Sequence, residues 1–214
     1  MTALTSVWPL FGLTVTTPRL VLRPVTDDDI PAAVAAAGAG IHEPGRNPFS
    51  NPWTELPADT LGANMAQWYW RCRGQATPED WTLLLGTWQG GEFIGCQDIG
   101  AKGFATLKTV RTGSWLKQSV HGQGLGKEMR AAVCLWAFDW LGAEVAESEA
   151  AAWNASSLGV SRSLGYTLNG TTRMSWGNKA VDVQKVRLTP DTFRRPDWTL
   201  HVQGHEAAAK FLGA

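Results

Sequence analysis

The segment His121-Gly122-Gln123-Gly124-Leu125-Gly126 has the composition of a phosphate-binding turn. Its glycines lack Cβ atoms, so successive backbone N–H groups can converge on one ligand. Apolar residues at helical spacing begin directly after the turn, and the N-terminus of a helix adds partial positive charge. Lys127 and Arg130 lie in the first two turns of that helix, where cations are unfavourable unless an anion is present. Together these features predict a site for a ligand that carries a pyrophosphate.

Two other phosphate-binding motifs are excluded by the residues around this turn. The turn does not end in Gly-Lys-Ser or Gly-Lys-Thr, so it is not a P-loop. A dinucleotide fingerprint would need an early parallel βαβ unit and an acidic residue at the end of the second strand. Here the glycines lie in mid-chain, after segments that resemble an antiparallel meander. A glycine-rich turn with solvated charges and no ligand stays open as an alternative.

The elements that must hold this turn follow from hydrophobic periodicity and turn residues. In the first half of the chain we predict a strand at 19–24, a helix at 26–37, a proline- and glycine-rich loop at 38–53, a helix at 57–73 and a hairpin of strands 81–88 and 92–99. In the second half we predict a strand at 112–117, a helix at 124–141, a strand at 144–150, a short helix at 156–164 and a hairpin at 166–188. The predicted fold class is α/β with a mixed sheet, in a single domain over 1–214. Its core spans about 14–195, and 196–214 form a C-terminal tail.

Composition excludes several classes of protein. Lys plus Arg and Asp plus Glu each number 19, so nothing indicates wholesale binding to nucleic acid or to an anionic membrane. No apolar run approaches the roughly 20 residues of a membrane helix, and no signal peptide is expected at 1–11. The 3 cysteines lack metal-ligand spacing, so we expect no metal site, no disulfide framework and a cytoplasmic location.

Several motifs together resemble one enzyme superfamily. Gly113-Ser114-Trp115-Leu116 precedes the glycine turn, and Asn154-Ala155-Ser156-Ser157 with Gly165-Tyr166 follows it. This order is similar to that of the Gcn5-related N-acetyltransferase (GNAT) superfamily. Within it, the chain resembles the branch named for ribosomal-protein N-terminal acetyltransferases over about residues 14–195. The residues around Trp8-Pro9-Leu10-Phe11 resemble actinobacterial members of that branch.

The resemblance implies a mostly antiparallel sheet, flanked by helices, whose fourth and fifth strands splay apart to hold acyl-CoA. Pantetheine would pair with the backbone of the fourth strand at 115–120, which includes Trp115 and Leu116. The pyrophosphate would rest on N–H groups of Gly122, Gln123, Gly124, Leu125, Gly126 and Lys127. Asn154 would bond the pantetheine arm, and Ser157 would lie near the thioester sulfur. One departure is His121, where the family usually has Arg or Gln, which puts a side-chain contact in doubt.

Acyl transfer from a thioester to an amine needs a neutral amine, a stabilised oxyanion and a proton for the leaving thiolate. A backbone N–H near Leu116 could stabilise the oxyanion. Ser157 or Tyr166 could protonate the sulfur. A lysine amine needs a base more than an α-amine does, because its pKa is higher. The candidate bases are Glu149, which we favour slightly, and Asp98, Glu43, Glu147 and His42.

The sequence therefore predicts an acetyltransferase that uses acetyl-CoA as co-substrate and acts through a direct ternary complex. A longer or acidic acyl group stays open. The acceptor would be a peptide or protein N-terminus or a small amine such as an antibiotic. Phe49, Trp53, Trp68 and Trp70 are candidates for an aromatic-lined acceptor cleft, and core packing explains them equally well. The alternatives are a non-catalytic CoA-binding or sensory module and an unrelated phosphate-binding α/β protein. Dimerisation is common in the superfamily, so a homodimer is a further hypothesis.

Overall fold

A computed structural model of the protein describes residues 4–214. Within that range one sheet of nine strands has the order β7-β8-β6-β5-β4-β3-β2-β1-β9. The strands are β1 (Thr14–Thr16), β2 (Val21–Pro24), β3 (Asp80–Gln89), β4 (Glu92–Lys102), β5 (Thr109–Leu116), β6 (Val145–Ala151), β7 (Thr167–Trp176), β8 (Lys179–Leu188) and β9 (His201–Gln203). The helices are α1 (Leu4–Val7), α2 (Ile30–Gly38), α3 (Ala58–Gln75), α4 (Phe104–Leu107), α5 (Leu125–Asp139), α6 (Ala155–Leu164) and α7 (His205–Phe211). The predicted mixed, mostly antiparallel sheet with flanking helices is confirmed.

The sheet opens between β5 and β6. Their parallel ladder runs only from the pair Thr109 and Val145 to the pair Arg111 and Glu147. Beyond that point β5 stays paired with β4, while β6 stays paired with β8 on its other side. Each strand follows its own partner, so the two diverge and leave a cleft. We call the start of this divergence, at Thr112 and Ser148, the fork. There Ser148 Oγ donates a hydrogen bond to the Thr112 carbonyl at 2.8 Å.

Two apolar clusters cover the two faces of the sheet. The larger one packs α5 against the central strands, and its buried residues Leu125, Met129, Val133 and Trp136 recur at helical spacing. The smaller one packs α2 and α3 against the other face. Among residues 4–214 no helix is long and apolar enough to span a membrane.

Two sequence predictions about these elements are wrong. β5 ends at Leu116, and Gln118–Val120 form a 3-10 turn, so the backbone at 117–120 is not a strand that could pair with pantetheine. The segment 196–214, predicted as a C-terminal tail outside the core, contributes to both the sheet and the core. β9 extends the sheet by pairing with β1, and α7 places its Ala208, and Leu212 directly after it, in the larger cluster. A strand of three residues is too short for hydrophobic periodicity to reveal it.

Candidate active site at the splayed strands

The glycine turn adopts a conformation that needs glycine. Gly122 has φ +75° and Gly124, the N-cap residue of α5, has φ +78°, a region that other residues rarely occupy. A Cβ at Gly122 would meet no atom within 4 Å, and one at Gly124 would meet only Arg19 Nη2 at 3.6 Å. The space above the turn is therefore open, and a ligand can approach the backbone at the helix N-terminus.

A buried carboxylate anchors this turn to the first strands. Glu128, in the first turn of α5, is only 7% exposed and forms an ion pair with Arg19 at 2.6 Å. Thr17 Oγ1 donates to Glu128 Oε1 at 2.6 Å, and Arg19 Nη1 donates to the Gln123 carbonyl at 3.0 Å. This network fixes the glycine turn relative to the sheet. Sequence reasoning missed it, because Glu128 lies 109 positions from Arg19 and no local pattern links them.

The other residues predicted to bind the cofactor differ in their surroundings. Leu125 is buried in the core and Gly126 lies close to Leu116, so both act as packing at the base of the turn. Lys127 is exposed. His121 directs Nε2 at the Leu116 carbonyl, 2.9 Å away, so that carbonyl already has a partner.

Arg130 does not support the glycine turn, contrary to the prediction. Its side chain is turned inward, where Nη1 donates to Ser148 Oγ at 3.2 Å and Nη2 donates to Ser114 Oγ at 3.3 Å. The spacing of residues in the sequence could have indicated this inward orientation of Arg130. Arg130 is four residues before Cys134, which lies on the buried surface of α5, so both share a helix face.

A cavity of about 700 Å³ lies on the face of the sheet that carries α3 and opens onto the splayed strands. Its wall includes backbone or side chains of Ser114, Ser148 and Ala150 from β5 and β6. Aromatic side chains provide much of the remaining wall: Phe49, Trp53, Trp68, Trp115 and Trp176. Trp70, which was expected in this cleft, instead donates from Nε1 to Asp27 at 3.0 Å on the surface.

Asp98 is the candidate base with the most distinctive environment. It lies opposite Gly113, whose N–H donates to Asp98 Oδ1 at 2.6 Å. A Cβ at position 113 would lie 2.6 Å from Asp98 Oδ2, so glycine is needed to make room for the carboxylate. Burial raises the pKa of Asp98, while the Gly113 N–H and the charge of Arg130 oppose that rise. A carboxyl with a raised pKa inside a cavity has the character of a general base.

The remaining candidate bases differ in whether they line the cavity. Glu147 and Glu149 on β6 both line it. Glu147 is held by Arg187 at 2.7 Å, whereas Glu149 is exposed and joins none of the ion pairs within residues 4–214. Glu43 accepts from Gln118 Nε2 at 2.8 Å, and neither it nor His42 belongs to the cavity wall.

The candidates near the thioester lie around α6. Asn154 is the N-cap residue of α6, and its Oδ1 accepts from the Ser157 N–H at 3.1 Å. Ser157 is half-buried and does not line the cavity. Tyr166 is buried, with its hydroxyl 3.3 Å from Cys134 Sγ, and burial raises the pKa of its phenol.

The fold agrees with a family comparison. Residues 19–167 match the acetyltransferase (GNAT) domain family, and the chain therefore belongs to the GNAT acetyltransferases.

Among solved structures, it is similar to Mycobacterium smegmatis RimJ in complex with a CoA disulfide. The identity is 20%, the TM-score is 0.71, and 92% of this chain and 95% of that chain are covered. It is also similar to RimL, a ribosomal L7/L12 α-N-protein acetyltransferase in complex with coenzyme A. There the identity is 16%, the TM-score is 0.64, and 82% and 96% of the two chains are covered. A Gcn5-related N-acetyltransferase from Brucella melitensis gives 14% identity, a TM-score of 0.67, and coverage of 84% and 79%.

Proposed function

We propose that this protein transfers a short acyl group from a coenzyme A thioester to a primary amine. The single observation that carries the proposal is the combination of an open glycine turn at the N-terminus of α5 with a cleft between β5 and β6. The turn suits the pyrophosphate, because the space that Cβ atoms would fill above Gly122 and Gly124 is open. The cleft suits an extended thioester arm, because the strand ladder ends at Arg111 and Glu147.

In this proposal, different residues bind the pyrophosphate and the pantetheine arm of the donor. The backbone from Gly122 to Lys127 binds the pyrophosphate, and the Arg19–Glu128 pair holds that backbone in place. Trp115 and Leu116 would lie along the pantetheine arm, to which Leu116 can offer its N–H but not its carbonyl. His121 bonds the Leu116 carbonyl, so the imidazole tethers the turn to the end of β5. Asn154 and Ser157 would lie along the arm as the first residues of α6.

Glu149 and Asp98 are the two bases that the cavity favours. In the reaction the amine nitrogen bonds to the acyl carbon, the carbon–sulfur bond breaks, and the thiolate takes up a proton. The base removes the surplus proton of the amine. Both line the cavity, but Glu149 is exposed, whereas Asp98 is half-buried and accepts a hydrogen bond from the Gly113 N–H. A backbone N–H of β5 near Leu116 would stabilise the oxyanion.

The acceptor would enter from the cavity. Its aromatic wall would contact the body of an acceptor, while the carboxylates of Glu147 and Glu149 attract its amine. A peptide N-terminus fits these features, as does a small amine, and the names of the RimJ and RimL neighbours favour the peptide.

The test measures CoA binding by calorimetry and acyl transfer to a panel of peptides and small amines. We expect acetyl-CoA to bind and at least one amine to be acylated. In wild type, binding without turnover on any amine would favour a non-catalytic CoA-binding module. Absence of binding by any CoA ester in a folded sample would reject the proposal. Glu149→Gln and Asp98→Asn then identify the base, since loss of the base lowers kcat/KM by roughly a hundredfold or more.

A further inference from the structure

Arg130 is a buried cation at the fork of β5 and β6. It is only 4% exposed, and its side chain reaches from α5 to one hydroxyl on each of the two strands that diverge. Those hydroxyls, on Ser114 and Ser148, belong to residues that line the cavity. Arg130 therefore lies directly behind the innermost wall of the cleft.

The charge of Arg130 is not balanced by a direct ion pair. None of the ion pairs formed within residues 4–214 includes it, and its Nε is buried without a hydrogen-bond partner. Asp98 acts on it through space but is bonded to Gly113 on the neighbouring strand. Two neutral hydroxyls compensate a guanidinium only partly, and burial of a charge costs free energy unless an anion accompanies it.

The direction of the cleft indicates which part of a ligand would meet this cation. The glycine turn follows the C-terminal end of β5, and the fork lies near residues 111 and 112, toward the start of the strand. A thioester whose pyrophosphate rests on the turn and whose arm runs back along β5 ends at the fork. Its acyl group is then the part nearest Ser114, Ser148 and Arg130.

We propose that the fork selects the acyl donor and favours a short dicarboxylic acyl group, such as succinyl, over acetyl. The distal carboxylate would accept a hydrogen bond from the Ser114 hydroxyl, with the Arg130 charge behind it, because the Ser148 hydroxyl already donates to the Thr112 carbonyl. This inference rests on the proposed function and names its donor. The carbon–nitrogen bond forms and the carbon–sulfur bond breaks as before. The base removes the surplus proton of the amine, the departing thiolate takes up a proton, and the distal carboxylate passes unchanged into the product.

The test compares binding of acetyl-, butyryl- and succinyl-CoA by calorimetry. Butyryl-CoA matches the succinyl chain in carbon number and lacks its charge. We expect wild type to bind succinyl-CoA roughly tenfold more tightly than butyryl-CoA, since hydrogen bonds to charged groups are the stronger ones. Arg130→Met should remove that difference, while Arg130→Lys keeps part of it. Transfer of succinyl to an amine would be read by mass spectrometry.

Arg194→Met is the matched control, because Arg194 is exposed and lies far along the chain on the loop after β8. It should leave the donor preference of wild type intact. Equal or weaker binding of succinyl-CoA relative to butyryl-CoA in wild type would overturn the inference, and this comparison needs no variant to fold. If no CoA ester binds, the proposed function itself fails. If butyryl-CoA binds and succinyl-CoA is not preferred, only the donor assignment fails.

Discussion

Substitution of Gly122 and Gly124 in the glycine turn distinguishes two effects: destabilisation of the protein by backbone strain, and loss of affinity for CoA. Gly122 and Gly124 have φ +75° and +78°, and Gly142, beyond the end of α5, has φ +71°. A Cβ at Gly122 or Gly142 would meet no atom within 4 Å. Alanine at each position therefore suffers the same left-handed backbone penalty, about 1–2 kcal/mol. Any further loss of CoA affinity at Gly122 must come from the ligand, because the protein itself leaves the space open.

The two effects have different readouts. The midpoint temperature of thermal unfolding should fall by roughly 2–8 °C in Gly122→Ala and in Gly142→Ala, since 1 kcal/mol shifts this midpoint by about 2–4 °C in a domain of this size. Calorimetric titration with CoA should show an affinity loss of roughly tenfold or more in Gly122→Ala and Gly124→Ala, because a Cβ would displace the pyrophosphate. Gly142→Ala should bind CoA as wild type does.

One result would refute this reasoning. If Gly122→Ala and Gly124→Ala bind CoA as tightly as Gly142→Ala, the pyrophosphate does not contact the turn. The assignment of the glycine turn as the pyrophosphate-binding site would then be wrong, even if the protein binds CoA elsewhere.

Three further predictions test the surroundings of the site. Glu128→Ala should lower the free energy of unfolding by roughly 1–3 kcal/mol in urea, because it leaves the buried Thr17 hydroxyl without its acceptor, while Arg19 is half exposed and can be solvated. Asp182→Ala, which removes an exposed ion pair with Arg173, should change it by less than about 1 kcal/mol. Burial raises the pKa of Asp98, so the native state keeps a proton that the unfolded state has released, and the contribution of Asp98 to stability falls as pH rises through that acidic range. Asp27 and Asp29, whose pKa values are lowered, act in the opposite direction but equally in wild type and in Asp98→Asn. The urea midpoint of wild type relative to Asp98→Asn should therefore fall as pH rises, and a difference that stays constant with pH would contradict the assignment. Asn154→Ala should lower stability by about 1 kcal/mol through loss of the α6 cap, whereas no loss would show that the cap bond is dispensable.

Much of the fold could be predicted because it follows local patterns. The hairpin predicted at 166–188 is formed by β7 and β8 and turns at Gly177-Asn178, because turn residues impose backbone angles on their immediate neighbours. The start of α5 directly after Gly124 follows from the same kind of local information. The prediction was wrong where neighbours in the sheet decide the outcome. β9 exists because β1 offers a free edge, and β5 ends where the chain turns toward the glycine loop.

The sequence by itself therefore determined the glycine turn, the long buried helix behind it and the class of fold. These depend on residues that are adjacent in the chain, whose conformations are set by local sterics and hydrogen bonding. Only the tertiary structure decided which side chains face the cleft. It brought Arg19 to Glu128 and turned Arg130 toward Ser114 and Ser148, across separations of 109, 16 and 18 residues. Such contacts depend on how the strands diverge and how α5 packs across them, and no local pattern encodes that geometry.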